Sequence, residues 1–176
     1  MCNHHDDQLS VTIYKMTQQY INNYPVVMDF KDRLSLIRGE IVTNVHIETS
    51  SIDPQSDMRF GLGCIMKDTV KYGYVLIYNK PFFHEIVFDG LPQMVLVNCL
   101  MDDNQLYIVG CTIGDIDNKT KGIIIRYDIV NCKVDCRVCD DASDFLSINK
   151  DNEKLFIIGN NHKGGIITVE IDTDLS

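Results

Sequence analysis

The sequence predicts an all-β protein built from antiparallel four-stranded blade repeats, a small or incomplete β-propeller, with an open β-sheet stack or sandwich as the alternative. Two observations predict it. Residues 57–63, 104–110 and 152–159 each run from a polar turn into an apolar strand ending in glycine, and the closing residues Gly63, Gly110 and Gly159 lie 47 and 49 apart (63 to 110 to 159), about the length of one blade. Each glycine is followed by a polar loop and a second apolar strand, at 74–79, 123–128 and 166–170. β-Branched and aromatic residues fill these runs while Asn, Asp and Gly occupy the turns, which is strand composition. No stretch carries a sustained helical period with a cap.

The rest of each unit follows from the same pattern. A third strand is expected at 82–88 and again at 133–138, and a strand preceding the glycine run at 41–47, 94–99 and 144–149. Four antiparallel strands per period is a propeller blade. The repeats fall at about 40–88, 93–139 and 144–172, inside a single domain spanning 11–176, after a flexible N-terminus at 1–10. Further strands are expected at 11–16, 25–30 and 33–38. The last copy stops after three strands, so its outer strand must come from elsewhere. Three arrangements are compatible with this count: a small ring whose last blade is completed by an N-terminal strand, a half-propeller completed by a second copy as a homodimer, or an open sheet stack.

Leu106-Tyr107-Ile108-Val109-Gly110 followed by Ile125-Arg126-Tyr127-Asp128 and Asn131 resembles a kelch-type blade, in which a strand ending in Gly leads to a strand ending in Tyr-Asp. The chain departs from that pattern at Cys111, where kelch repeats carry a second Gly, and at Val134, where they carry Trp; WD40 signatures are absent. The resemblance implies a generic propeller blade over about residues 40–172 and no particular subfamily.

Composition limits the function classes. With 176 residues the chain is long enough to bury roughly 70% of its unfolded surface in one domain. A net charge of −9 argues against nucleic acid, which needs clustered Lys and Arg; the surface acids are expected chiefly to keep the protein in solution, with a basic partner as the alternative. No window approaches 18 apolar residues and residues 1–7 lack a secretory pattern, so no membrane association and a cytoplasmic location are expected. The seven cysteines are then expected as thiols or metal ligands and not as a disulfide framework.

Cys132, Cys136 and Cys139 have the C-x₃-C-x₂-C spacing, which resembles the iron–sulfur signature of radical S-adenosylmethionine enzymes. On a strand, however, Cys132 and Cys136 share a side and Cys139 faces the other. Zinc would need Cys111 or His162 from neighbouring strands; the competing expectation is semi-buried apolar thiols. His4-His5-Asp6-Asp7 offers ligand types without a scaffold, and the loop 114–122 begins like a calcium loop but has Lys119 where a third oxygen ligand belongs. Gly61-Leu62-Gly63 is expected to admit close backbone approach in a strand and not to bind phosphate.

No G-x-S-x-G, H-E-x-x-H or G-K-[ST] motif occurs. His46, His84 and His162 are scattered, and His84 beside Glu85 would face the opposite side of a strand. Tyr72, Phe82 and Phe83, within an aromatic cluster that includes Tyr74 and Tyr78, are the candidates for a partner-binding surface. The expected function is therefore a non-enzymatic module presenting acidic and aromatic loops to a protein partner. A hydrolase or lyase with a His/carboxylate site built from loops is the alternative, and a thiolate zinc protein the third.

Overall fold

The computed structural model describes residues 2–4, 11–16, 45–52, 58–79, 82–113 and 119–175. The strands expected at 25–30 and 33–38, residues 5–7 and most of the loop 114–122 lie outside them. The described residues form strands and turns throughout: β1 (Cys2–His4), β2 (Val11–Met16), β3 (Val45–Ile52), β4 (Arg59–Lys67), β5 (Val70–Asn79), β6 (Phe82–Pro92), β7 (Val95–Asp102), β8 (Gln105–Ile113), β9 (Thr120–Asp128), β10 (Lys133–Cys139), β11 (Ala142–Asp151), β12 (Lys154–Asn161) and β13 (Ile166–Asp172). The first residues of the segment read as a flexible terminus thus form β1.

Every strand pair is antiparallel, and the strands make three sheets. The first runs β2-β6-β5-β4-β3, the middle one β1-β10-β9-β8-β7, and the last β11-β12-β13. Pairing between sequence-consecutive strands accounts for each sheet except at β1, which joins β10, and at β2, which joins β6. Asp103 and Asn152 take left-handed φ values of 51° and 52° in the turns after β7 and β11, a conformation that Asp and Asn tolerate best after glycine.

One device recurs in all three sheets and explains the glycine period. Opposite Gly63 the first strand bulges between Ile47 and Thr49; opposite Gly110 between Leu96 and Asn98; opposite Gly159 between Phe145 and Ser147. A bulge pushes its backbone toward the neighbouring strand. A Cβ on Gly110 would lie 2.1 Å from the Val95 carbonyl oxygen, and one on Gly159 would lie 2.0 Å from that of Asp144. Only glycine fits, so the repeated residue marks repeated backbone geometry.

Two cores hold the sheets in series. Phe60, Leu62, Val75, Ile77, Ile86 and Phe88 of the first sheet pack on Leu96, Leu106, Ile108, Ile123 and Ile125 of the middle one. From the opposite face of that sheet, Tyr107, Val109, Ile124 and Cys139 pack on Phe145, Ile148, Leu155, Ile157 and Ile171 of the last. The middle sheet is therefore apolar on both faces, which is why β8 and β9 read as continuous apolar runs and not as alternations. Gly122 permits the second packing, since a Cβ there would sit 2.6 Å from the Phe145 ring.

Neither of the described N-terminal strands, β1 and β2, completes the last sheet. β2 pairs with β6, and β1 pairs with β10 through Cys2 opposite Cys139. They lengthen sheets that already have four strands. The arrangement among the described residues is a stack of sheets, with β13 at an edge that no described strand joins.

Candidate functional site

Among the described residues, the last sheet presents an open edge and an uncovered face at the same place. Along β12 and β13 the ladder alternates between residues that exchange hydrogen bonds and residues that do not. Asn161 N–H donates to the Gly165 carbonyl at 2.8 Å and Thr173 N–H donates to that of Glu153 at 3.0 Å. Ile167, Val169 and Ile171 fall in step with these and bond β12. The N–H and C=O groups of Ile166, Thr168 and Glu170 consequently point outward from the sheet, where no described strand meets them. An unpaired edge is a template for a further strand.

The face beside that edge is the one that would carry a following sheet. Counting from the repeat glycines, Phe60, Tyr107 and Phe156 are equivalent, as are Leu62, Val109 and Ile158. On the next strand Val75, Ile124 and Thr168 are equivalent, and then Ile77, Arg126 and Glu170. In the first two sheets these positions pack against the sheet that follows. In the last sheet Ile158 is 43% exposed and Ile166 79%, with Leu146 at the bulge 46% exposed. The surface is amphipathic: Leu146 of β11, Ile158 of β12 and Ile166 of β13 are aliphatic, while β13 also contributes Thr168 and Glu170.

Two of the inward side chains of β13 are also less covered than their equivalents in the middle sheet. Ile123 and Ile125 of β9 are fully buried beneath Val138 and Cys136 of β10. Their equivalents Ile167 and Val169 are only partly buried. No described strand pairs with the outer side of β13 as β10 does with β9.

Charge surrounds the edge. Lys154 on β12 reaches Asp172 at 2.8 Å and Glu170 at 3.8 Å. Hydrogen bonding to Asp172, followed by that carboxylate's charge, raises the Lys154 pKa. Past β13 the chain turns back over the middle sheet: Leu175 is buried in the second core, and Arg137 donates to its carbonyl at 3.0 Å.

The cysteine motif is dispersed by the fold. Cys132 is exposed in the turn before β10, with φ 55°. Cys136 is buried in the core shared with the first sheet and Cys139 in the core shared with the last, so the two lie on opposite faces of β10. Among the described residues no three His, Cys, Asp or Glu side chains gather as metal ligands. Burial alone pushes the Cys99 thiol up to about 12, and burial, with the Cys132 contact second, raises the Tyr127 hydroxyl.

The aromatic candidates separate. Tyr72 is half-buried on β5, opposite Ile65 on the face turned away from the middle sheet. Phe82 and Phe83 open β6, paired in backbone register with Asn79 and Tyr78, and their side chains lie outside what the structure describes, as do those of His46 and His84. His162 is exposed, with Nε2 2.9 Å from the Asp140 carbonyl oxygen. Sequence reasoning singled out the incomplete last repeat but none of Leu146, Ile158, Ile166 or Glu170. Their signal was present only as the glycine period, which aligns them with residues that pack elsewhere.

No helix among the described residues is long and apolar enough to cross a membrane. No protein-family model, curated protein or solved structure matches the chain.

Proposed function

We propose that this protein is a non-enzymatic interaction module whose docking site is the β13 edge together with the adjoining face of the last sheet. The observation that carries the reading is the coincidence of outward backbone groups at Ile166, Thr168 and Glu170 with exposed Ile158, Ile166 and Leu146. Backbone pairing gives such a site affinity and the alternating side chains give it selectivity, the logic of β-strand addition. We read the three sheets as propeller-type blades, the last awaiting an outer strand, and place the module in the cytoplasm on its thiol content.

Thr168→Pro tests this directly. It removes an N–H that points away from β12, and proline is tolerated at such edge positions, so folding is retained while strand addition is blocked. A partner captured from native lysate by the wild-type protein is expected to be lost with Thr168→Pro, and to slow amide exchange at Ile166, Thr168 and Glu170. Capture that is indifferent to Thr168→Pro overturns the reading. Homodimerisation through the same edge would appear in light scattering as a dimer that Thr168→Pro dissociates.

A further inference from the structure

Arg126 and Glu170 occupy the same place in the repeat, three residues beyond the partner of the strand glycine. In the middle sheet the residue directly opposite Arg126 on the next strand is Asp135. The guanidinium donates to its carboxylate through Nε at 3.2 Å and a terminal nitrogen at 2.5 Å. The backbone follows the same plan: Ile129 N–H donates to the Asn104 carbonyl at 2.9 Å, so alternation turns the polar groups of Ile124 and Arg126 toward β10. Those of Thr168 and Glu170 turn outward in the same way. At this place in the last sheet, the charge is inverted.

We infer that β13 is completed by an extended segment of a partner protein, antiparallel to β13, with Lys or Arg directly opposite Glu170 and apolar side chains opposite Val169 and Ile171. The inference rests on the docking reading above and names the chemistry of the occupant. Opposite charges facing each other across an antiparallel pair stabilise it, and like charges destabilise it. The apolar requirement comes from β10, where Val134 and Cys136 stand opposite Tyr127 and Ile125, the equivalents of Ile171 and Val169. Asp172, next on the same face, is held by Lys154 at 2.8 Å while Glu170 lies 3.8 Å from that lysine, so two carboxylates share one ammonium and the face stays net negative. A second copy of β13 fits poorly, because Ile166–Asp172 contains no Lys or Arg and each chain carries a net charge of −9.

The experiment uses the full chain and two labelled peptides patterned on residues 133–139, both carrying Cys136→Val and Cys139→Ser. One keeps Asp135 and the other has Asp135→Lys. Binding is read by fluorescence anisotropy and its location by amide exchange at Ile166, Thr168 and Glu170. The lysine peptide is expected to bind about fivefold or more tightly than its aspartate twin, Glu170→Lys to reverse that order, and Glu170→Gln to narrow the gap. Equal binding of both peptides, with β13 amides protected by each, overturns the charge inference and leaves the docking edge standing. Protection by neither peptide overturns the inference as well, while Thr168→Pro judges the edge separately.

Discussion

Arg126 on β9 lies directly opposite Asp135 on β10 and, beyond that ion pair, reaches 3.3 Å to the Thr173 carbonyl oxygen. One guanidinium thereby links β9 and β10 of the middle sheet to the turn that follows β13. Arg126→Ala removes charge-assisted hydrogen bonds at a half-buried site and is expected to lower stability by about 1–2 kcal/mol. Urea unfolding should show a lower midpoint with an unchanged slope, and a double-mutant cycle with Asp135→Ala should recover part of that loss as coupling.

The bulge geometry makes a sharper prediction about glycines. Gly110→Ala and Gly159→Ala each drive a methyl group into a backbone carbonyl on the facing strand, and should cost about 2–3 kcal/mol. Gly164 has φ 78° and open space around it, so Gly164→Ala should cost only about 1 kcal/mol, from the left-handed backbone alone. Thermal unfolding of the three variants should separate them in that order.

Acid sensitivity traces to the turn after β9. Asp128 accepts hydrogen bonds from Asn131 N–H at 2.8 Å, from the Asn131 side chain at 2.9 Å and from Val130 N–H at 3.0 Å. The Asn131 bonds, with Gln105 contributing, hold the carboxyl down at about 2 against an ordinary 3.8. A depressed folded pKa stabilises the fold above the unfolded value, and that contribution fades as pH falls from about 3.8 through about 2. Asp128→Asn should flatten this part of the pH profile of the urea midpoint between pH 4 and 2. An equally steep profile in the variant would refute the assignment.

Thiol chemistry should follow burial and not sequence spacing. Cys132 is exposed and Cys111 half-buried, whereas Cys64, Cys99, Cys136 and Cys139 are buried. Under native conditions iodoacetamide is expected to label Cys132 ahead of those four, as read by peptide mapping, with Cys99 further protected by its raised pKa. Because Cys136 and Cys139 face different cores, chelator treatment should leave the unfolding midpoint unchanged, and purified protein should hold less than about a tenth of an equivalent of zinc.

The repeat was legible because its cause is local. Gly110 and Gly159 are required by bulges a single strand away, so the period survives in the chain as a visible residue. The destinations of β1 and β2 were not legible: strand partners at sheet edges are chosen by tertiary geometry, and β1 is only three residues long. The exchange of Arg126 for Glu170 is plain in the letters once aligned, yet it acquires meaning only when Asp135 is known to stand opposite the arginine.

Gly159 fixes more than the spacing of a repeat. By locking β12 against the bulge in β11, it sets the register in which β13 displays its side chains, so an incoming strand meets a reading frame already chosen. Displaced by one residue, that strand would turn its basic side chain from Glu170 toward the apolar side of Val169. Under the proposed strand addition, the glycine would set the phase of recognition on β13, two strands from the bulge that requires it.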